Sequence, residues 1–341
     1  MMHPHQLYEK LAKIILSHKK ILCTTHVHPD ADGIGSCAAL HMALSLKKIS
    51  CDLLLESDLH PRYQHLLKGV PYKSLSDYPL TEEEIKQNIL QYDLVIVVDT
   101  NKISRVGARL SIGLTEHSKV IYVDHHPCKN LTEFHYIDQE AAATAEMVGS
   151  LLQLMNITFS RAMADALYSA ILIDTNVFRY PSVRPNTHKL IAEFLETGIV
   201  VTAAYNAFNG TKKLHHVHLL GHILKSCQLN DQQNVAWIWI RESDLMEYQT
   251  DLEETHAFIN NLLALEGVKV ACMFRQDGTR VKISLRSRGE VDVGLLASLW
   301  GGGGHSHSAA AVLEYPLEDS EIFEKKMLLS IERFLQTQND G

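Results

Sequence analysis

Short apolar runs alternate with helical patterns along the first part of the chain. The runs are rich in β-branched residues, show no regular alternation with polar residues, and occupy 21–23, 51–56, 94–98 and 120–123. Such runs are typical of strands that are buried on both faces of a parallel sheet. Helical patterns lie between or after them, at 36–46, 141–154 and 161–173. We therefore predict an N-terminal α/β domain with a doubly wound parallel sheet.

A second domain is predicted after an Asn-Gly break. A helical pattern over residues 187–207 ends at Asn209-Gly210, a dipeptide that favours a turn. Beyond it, residues 235–240, 268–274 and 281–285 have strand-like patterns, and Asp277-Gly278 indicates a hairpin between the last two. We predict domains at residues 1–208 and 215–341, joined by a hinge at residues 209–214. The second domain is expected to be smaller and also of mixed helix and strand.

Composition and charge narrow the class of protein. The chain has 341 residues, enough for two domains, and a formal net charge of −8, so a long nucleic-acid duplex is not expected as a partner. Its six cysteines lack CxxC spacing, and we interpret them as reduced thiols. Most of its twenty histidines, His215 and His216 among them, are interpreted as surface residues. Because no signal peptide or membrane-spanning run is found, we expect a cytoplasmic protein.

Polar clusters stand where the apolar runs stop. His26 follows the first run, Asp99 follows the third, and Asp124-His125-His126 follows the fourth. In doubly wound sheets, ligands bind beyond the carboxyl ends of the strands. We therefore predict that these distant clusters converge on one edge of the sheet. Three ionisable side chains in a row after a buried run are costly unless something binds them.

The first cluster reads THVHPDADGIGS and spaces one histidine and two aspartates as H-x3-D-x-D. Imidazole and carboxylate together suit borderline divalent metals such as Mn2+. The one-residue gap between Asp30 and Asp32 favours two neighbouring ions over one shared ion, and Gly33 and Gly35 permit unusual backbone angles. The alternative interpretation is a helix N-cap with aspartates that face solvent.

The remaining clusters add one histidine pair and further carboxylates. Asp99 alone also fits the polar end of a buried strand, whereas Asp174 follows the apolar helical run LYSAILI. In the pair His125-His126, successive side chains point to different sides, so that one can bind a metal while the other faces substrate. Asp124 can orient an imidazole. If these residues had structural roles only, each of the four clusters would need its own explanation. One shared site explains all of them, and we therefore predict a two-metal hydrolytic site.

The second domain offers groups that bind phosphate. Arg286 and Arg288 lie in SLRSR, in a basic stretch that also contains Arg275, and a glycine run at 301–304 precedes His305. A guanidinium binds phosphate through two hydrogen bonds, and glycine-rich loops present backbone N–H groups to anions. We predict a phosphate-binding surface here, with Arg286 as its main residue. A solvated hairpin face and a flexible loop are the alternative interpretations.

On these motifs the chain resembles the DHH/DHHA1 superfamily of phosphoesterases, and within it the stand-alone nano-RNase and 3′-phosphoadenosine 5′-phosphate (pAp) phosphatase branch. The resemblance implies a Mn2+-dependent enzyme that hydrolyses short oligoribonucleotides and pAp, with two metals activating a bridging hydroxide in a cleft between the domains. Hydrolysis of cyclic di-AMP or of its linear product pApA is the alternative, followed by a pyrophosphatase and a non-catalytic nucleotide-binding protein. A homodimer is left open.

The resemblance also implies a role for each site residue. One Mn2+ would be held by His26, Asp30 and Asp99, and the other by Asp32, Asp99, His125 and Asp174, with Mg2+ or Co2+ as alternative ions. His126 and Asp124 would be the catalytic pair. The substrate would be held by Arg286, Arg288, Gly302, Gly303, Gly304 and His305. Two positions depart from the family pattern, since Asn176 and Ala310 stand where the family usually has glycine.

Overall fold

The computed structural model describes residues 4–77, 80–128, 130–210, 212–314 and 320–339. The chain divides into two compact units, Met1–Thr211 and Lys212–Gly341. Thr211, in the predicted hinge, lies outside the described residues. Each unit is built around its own sheet.

The N-terminal unit contains a six-stranded sheet in the order β3-β2-β1-β4-β5-β6, and every neighbouring pair is parallel. The strands are β1 (Lys20–Thr24), β2 (Ser50–Leu55), β3 (Tyr72–Ser74), β4 (Leu94–Val98), β5 (Val120–Asp124) and β6 (His135–Ile137). The helices are α1 (Pro4–Leu16), α2 (Ala31–Leu46), α3 (Glu82–Leu90), α4 (Ala108–Glu116), α5 (Thr144–Leu154), α6 (Arg161–Asp174), α7 (Pro185–Glu196) and α8 (Val201–Tyr205). Short helical turns occupy Pro61–Leu67, Leu75–Asp77, Ile103–Arg105 and Asn206–Gly210. The predicted doubly wound sheet is confirmed.

Both faces of this sheet are covered by apolar side chains. Along β1, Ile21 and Cys23 belong to the core on one face, whereas Leu22 belongs to the core on the other. All five residues of β4 are buried. This two-sided burial explains why the strands are continuous apolar runs in the sequence, because neither face can accept a polar side chain without cost.

Two glycines of α2 allow close packing around the first loop. A Cβ atom on Gly33 would lie 2.3 Å from Thr25 Oγ1, and one on Gly35 would lie 2.7 Å from the carbonyl oxygen of Ala166 in α6. Neither glycine has a positive φ, so the expectation of unusual backbone angles was wrong. Small size at these positions lets α2 lie directly against the end of β1 and against α6.

The helical pattern over 187–207 is not one helix. It forms α7 and α8, separated by a turn in which Gly198 has φ +80°. Glycine is the residue that adopts this left-handed conformation without a steric penalty, and the helix therefore ends before it.

The second unit contains a mixed sheet in the order β11-β12-β10-β9-β8-β7. Its strands are β7 (Gln228–Leu229), β8 (Val235–Ile240), β9 (Val270–Asp277), β10 (Arg280–Ser287), β11 (Gly303–His305) and β12 (Ser308–Glu314). Its helices are α9 (Leu214–Lys225), α10 (Glu242–Glu247), α11 (Val293–Ser298) and α12 (Ser320–Asn339), with 3-10 turns at Leu252–Thr255 and Phe258–Ala264. Strands β8 and β9 are parallel, and the other neighbours are antiparallel. The predicted hairpin is present, since β9 and β10 pair up to Asp277 and Arg280.

Alternation along β10 separates two environments. Val281, Ile283 and Leu285 are fully buried and belong to the core that includes residues of α11 and α12. Lys282, Ser284 and Arg286 point to the opposite face, because successive strand residues alternate.

None of the described helices is long and apolar enough to cross a membrane.

Candidate metal centre and phosphate-binding strand face

The carboxyl ends of three neighbouring strands bring the first polar clusters together. His26 lies two residues after β1, Asp99 directly follows β4, and Asp124 is the last residue of β5. Asp99 has φ +61°, a left-handed conformation that is rare for a residue other than glycine. Such backbone strain is commonly found at functional sites, where the surrounding structure maintains it.

The first donor set consists of His26, Asp30 and Asp99. His26 Nε2 lies 3.4 Å from Asp99 Oδ2 and 3.8 Å from Asp30 Oδ1. The other ring nitrogen, Nδ1, lies 2.9 Å from the carbonyl oxygen of Val27. A hydrogen bond from Nδ1 to this carbonyl leaves the Nε2 lone pair directed at the two carboxylates, the usual arrangement of a metal-binding histidine.

The second donor set consists of Asp32, His125 and Asp174, together with Asp99. His125 Nε2 lies 3.3 Å from Asp174 Oδ2, 3.7 Å from Asp32 Oδ2 and 3.9 Å from Asp99 Oδ1. The two oxygens of Asp99 therefore face different sets, Oδ2 the first and Oδ1 the second. This is the arrangement expected of a carboxylate that bridges two ions.

The N-cap alternative for the first cluster is correct for one aspartate only. Asp30 caps α2, because its Oδ1 accepts hydrogen bonds from the backbone N–H groups of Asp32 (3.0 Å) and Gly33 (3.2 Å). The same oxygen faces His26. Asp32, in contrast, is 2% exposed and does not face solvent.

The N-terminus of α5 holds the Asp32 carboxylate. The backbone N–H of Thr144 donates to Oδ2 at 2.7 Å, and that of Ala145 donates to Oδ1 at 2.8 Å. The hydroxyl of Thr144 donates to Asp99 Oδ1 at 3.2 Å. One residue of α5 thus contacts two carboxylates, and the N-terminal end of the helix dipole favours their negative charge.

Asp124 orients His126 and takes part in three hydrogen bonds. Its Oδ1 lies 2.7 Å from His126 Nδ1 and accepts from the His126 backbone N–H at 3.1 Å. Its Oδ2 accepts from Asn101 Nδ2 at 2.7 Å. Asp124 is fully buried, whereas the His126 side chain is 20% exposed. Asp124 therefore binds both the backbone N–H and Nδ1 of His126.

The charges of the centre are unbalanced without cations. Burial raises the pKa of Asp99 well above its usual range, and the neighbouring Asp32 and Asp30 raise it further. Burial also raises the pKa of Asp174 to about 8, against the opposing charge of His125. The pKa of Asp32 is raised by burial as well. Ionised carboxylates at such spacing require a positive partner.

The donor atoms fit divalent metal ions. The separations of 3.3–3.9 Å within the two sets are longer than the 2.7–3.2 Å of ordinary hydrogen bonds. Ligand atoms about 2.1 Å from a shared ion lie roughly 3.0–3.5 Å apart, close to these separations. Each set offers imidazole nitrogen and carboxylate oxygen, a combination that Mn2+ and other borderline ions accept.

The fourth acidic position, Asp174, lies two residues before Asn176, where the chain departs from the family pattern. Asp174 ends α6, and Asn176, Val177 and Phe178 have φ values of +48°, +62° and +58°. Asparagine tolerates this left-handed conformation, which accounts for its presence where glycine was expected. Three such residues in succession form a tight turn directly after the carboxylate.

In the second unit, the predicted phosphate-binding residues Arg286 and His305 form one row with Ser308 across adjacent strands. Ser308 of β12 pairs with Arg286 of β10 on one side and with His305 of β11 on the other. Directly paired residues project from the same face of a sheet, so the three side chains share a face. Arg286 is half-buried there, and its Nη1 donates to the carbonyl oxygen of Leu285 at 2.9 Å.

Other members of the basic and glycine-rich stretches are placed differently from the prediction. Arg275 is 2% exposed, so it does not belong to an accessible basic strip. Arg288 is exposed, and its Nη2 donates to the carbonyl oxygen of Leu263. The backbone N–H of Gly302 donates to Ala297 at 2.9 Å because it closes the end of α11, and it is not directed at a ligand. Gly303 and Gly304 belong to β11 and pair with β12.

The sequence alone did not identify Asn101 and Thr144. Asn101 lies two residues after Asp99, in VVDTN, and Thr144 begins a helix that was predicted from its apolar pattern only. Both contact residues that the sequence did identify. The sequence signal for each residue is its position. Asn101 lies shortly after the carboxyl end of β4, and Thr144 lies at the start of α5.

The strand-end carboxylates and histidines form a candidate metal centre on a doubly wound sheet. Comparison with protein families assigns a domain to each unit. Residues 20–171 match the DHH family, N-terminal domain, and residues 233–336 match the DHHA1 domain. The chain belongs to the DHH/DHHA1 family, whose members are phosphoesterases or nucleases.

One relative and two solved structures are also similar to this chain. The bifunctional oligoribonuclease and PAP phosphatase NrnA of Thermus thermophilus is 28% identical over 86% of this chain and 84% of its own length. An exopolyphosphatase-related protein from Bacteroides fragilis has the same fold, with a TM-score of 0.84, 22% identity and coverage of 98% of this chain and 96% of that one. RecJ of Thermus thermophilus, solved in complex with Mn2+, shares the fold at a TM-score of 0.52 and 12% identity, over 96% of this chain and 55% of its own.

Proposed function

We propose that this protein is a Mn2+-dependent phosphoesterase that hydrolyses short oligoribonucleotides and pAp. The observation that carries the proposal is the position of Asp99, whose two oxygens face two separate sets of metal-binding atoms. The named activity of the similar NrnA protein supports the substrate class, and the Mn2+ complex of RecJ supports the ion.

The two donor sets are proposed to supply the metal ligands. His26, Asp30 and Asp99 would hold one ion, and Asp32, Asp99, His125 and Asp174 would hold the other. Two such ions, when bound, supply a water of lowered pKa and neutralise charge that develops on the phosphate. The rigid support from the N-terminus of α5 would keep Asp32 in place during this chemistry.

His126 is proposed to act on the substrate through Nε2. Asp124 holds Nδ1 and the backbone of the same residue, and this fixes both the tautomer and the ring orientation. With Nδ1–H donated to Asp124, the neutral ring can accept a proton at Nε2, and the resulting imidazolium can donate a hydrogen bond to a phosphate oxygen. Asp124 itself accepts three hydrogen bonds and would not bind metal.

The strand face of the second unit is proposed to hold the substrate's terminal phosphate. Arg286 supplies a permanent positive charge, and Ser308 and His305 supply hydrogen-bonding groups in the same row. Arg288, Gly303 and Gly304 remain proposed contributors at the end of this row. We do not retain Gly302 as an anion-binding N–H group, since that donor is bound to Ala297.

A substrate panel tests the proposal. Chelator-treated protein would be supplied with Mn2+, Mg2+ or Co2+, and initial rates measured on pAp, pApA, cyclic di-AMP, pyrophosphate and RNAs of two to five nucleotides. We expect the highest kcat/KM on the short RNAs and pAp with Mn2+. A preference for cyclic di-AMP or pyrophosphate would overturn the substrate assignment. Undiminished activity of the Asp99→Ala variant would overturn the metal centre.

A further inference from the structure

Helix α9 carries histidines at regular helical spacing. His218 and His222 lie four residues apart in the segment HHVHLLGH, and both are exposed. Residues separated by four positions are neighbours on one face of a helix, with Cβ atoms about 5–6 Å apart. Two imidazoles at this separation can bind the same metal ion. Both residues agree with the interpretation of most histidines as surface residues, whereas that interpretation was wrong for His216 of the same helix, which is 4% exposed.

A carboxylate from another helix lies close to His222. His222 Nε2 is 3.6 Å from Oδ1 of Asp244 in α10. The distance is too long for a direct hydrogen bond. It is close to the separation of roughly 3.4 Å between two ligand atoms that bind one tetrahedral zinc ion at about 2.1 Å. The geometry resembles that between His125 and Asp174 in the centre of the N-terminal unit, where the corresponding separation is 3.3 Å.

His222 and Asp244 are both held in position by other contacts. Asp244 Oδ2 accepts a hydrogen bond from the backbone N–H of Arg241 at 2.8 Å, and this leaves Oδ1 directed at His222. The His222 ring packs on Tyr248 with 5.4 Å between ring centroids. Metal-binding carboxylates and imidazoles in proteins are commonly supported in this way, because outer contacts reduce the entropy lost on binding.

We propose that His218, His222 and Asp244 form a surface site for Zn2+ or a similar borderline divalent ion. His222 and Asp244 are already close to ligand separation. The ligand atoms of all three residues do not lie within 4.8 Å of one another, so we expect the exposed His218 ring to join the same ion by a change of rotamer. Water would complete the coordination. Two imidazoles and one carboxylate favour Zn2+, Ni2+ or Cu2+ over Mg2+, which prefers oxygen ligands. The ion would link α9 to α10 within the second unit.

The test uses the full chain and counts bound Zn2+ by equilibrium dialysis. The variants are His218→Ala, His222→Ala and Asp244→Asn, and Val217→Ala is the matched control on the exposed side of α9. Asparagine at 244 keeps an oxygen to cap α10 and removes the charged ligand. We expect His222→Ala and Asp244→Asn to bind one ion fewer per chain than the unaltered protein. His218→Ala should weaken that site by roughly ten-fold or more, and Val217→Ala should leave it unchanged.

A second readout identifies the residues directly. Diethyl pyrocarbonate modifies accessible imidazoles, and peptide mapping reports which ones react. We expect Zn2+ to protect His218 and His222 in the unaltered protein, whereas Mg2+ should not protect them. Equal Zn2+ counts in all four variants, or unprotected histidines at saturating Zn2+, would show that His222 and Asp244 form only an ion pair. Because these residues lie outside the proposed catalytic centre, Mn2+-dependent hydrolysis by His222→Ala tests the proposed function separately.

Discussion

Asp124 Oδ1 lies 2.7 Å from His126 Nδ1, the shortest contact between a carboxylate and a histidine in the described part of the centre. Burial opposes ionisation of Asp124, but the hydrogen bond and charge of His126 outweigh it and lower the pKa of Asp124 to about 2. At neutral pH the carboxylate is therefore ionised and accepts from both the ring and the backbone of His126. This contact fixes Nδ1 as the nitrogen of His126 that is bound to the carboxylate.

Asp124→Asn should therefore lower kcat while leaving metal binding intact. An amide can occupy the same space, but its N–H group can face Nδ1 and select the wrong tautomer of His126. We expect kcat on pAp to fall by about 10²–10⁴-fold, the range of general acid–base contributions, with Mn2+ stoichiometry unchanged. Steady-state kinetics and metal analysis of the same preparation measure both. Loss of Mn2+ together with activity would mean that Asp124 acts as a ligand or a structural residue.

Thr144 is expected to position the bridging carboxylate. Its hydroxyl donates to Asp99 Oδ1, and its backbone N–H donates to Asp32. Thr144→Val keeps the shape and the backbone donor but removes the hydroxyl, so we expect Mn2+ affinity to fall by about 10–100-fold. Isothermal titration calorimetry measures this affinity. Thr144→Ser restores the hydroxyl and should recover most of it, whereas equal weakening in both variants would attribute the effect to packing.

The ordinary polar character of Thr144 and Asn101 explains why the sequence did not reveal them. The strands were predictable because burial on both faces makes each an uninterrupted apolar run, as in β4. The convergence of His26, Asp99 and Asp124 followed from strand direction, since parallel strands place all their carboxyl ends at one edge. A threonine at a helix start, in contrast, has many uses, and its contacts with two carboxylates depend on tertiary packing.

The second unit was less predictable for the same reason. The hairpin at Asp277-Gly278 was evident from local turn chemistry. The burial of Arg275 and the hydrogen bond from Gly302 to Ala297 depend on segments that are distant in the chain or on how α11 ends. A basic residue or a glycine run in a sequence does not show whether its donors are already occupied.

Metal-free protein should lose stability as pH rises. An unfolded aspartate has a pKa near 3.9, whereas burial raises the pKa of Asp174 to about 8 and that of Asp99 well above its usual range. The folded chain therefore retains protons that the unfolded chain releases. The resulting stabilisation is complete below about pH 4 and is lost as pH rises through the folded pKa values. Thermal unfolding in chelator should show Tm falling from about pH 5 to about pH 8.

Mn2+ should reverse this trend, because bound cations replace the protons. The increase in Tm on adding Mn2+ is expected to be larger at about pH 8 than at about pH 5. In the Asp174→Asn variant, the pH dependence in chelator should become shallower, since one titrating carboxyl group is removed. A Tm in chelator that rises over this range would contradict the raised pKa values.

Two neighbouring glycines should respond differently to the same substitution. A Cβ on Gly302 would lie 2.2 Å from the carbonyl oxygen of Ala310, whereas a Cβ on Gly303 meets no atom within 4 Å. We expect Gly302→Ala to reduce the free energy of unfolding by about 1–3 kcal/mol because the backbone must shift. Gly303→Ala should change it by less than about 0.5 kcal/mol. Chemical denaturation of the two variants provides the comparison, and equal effects would contradict the close packing of Gly302 on β12.

Arg286 is expected to act mainly in substrate binding. Its half-buried guanidinium shares a strand face with Ser308 and His305, in a row proposed to hold the terminal phosphate. Arg286→Ala should raise KM for pAp by about 10–100-fold, with a smaller change in kcat. This factor corresponds to the free energy that one or two charge-assisted hydrogen bonds contribute to binding. Arg286→Lys keeps the charge but loses the paired donors, so its KM should be intermediate. A dinucleotide without a terminal phosphate is the control substrate, because equal losses on both substrates would show that Arg286 does not recognise that phosphate.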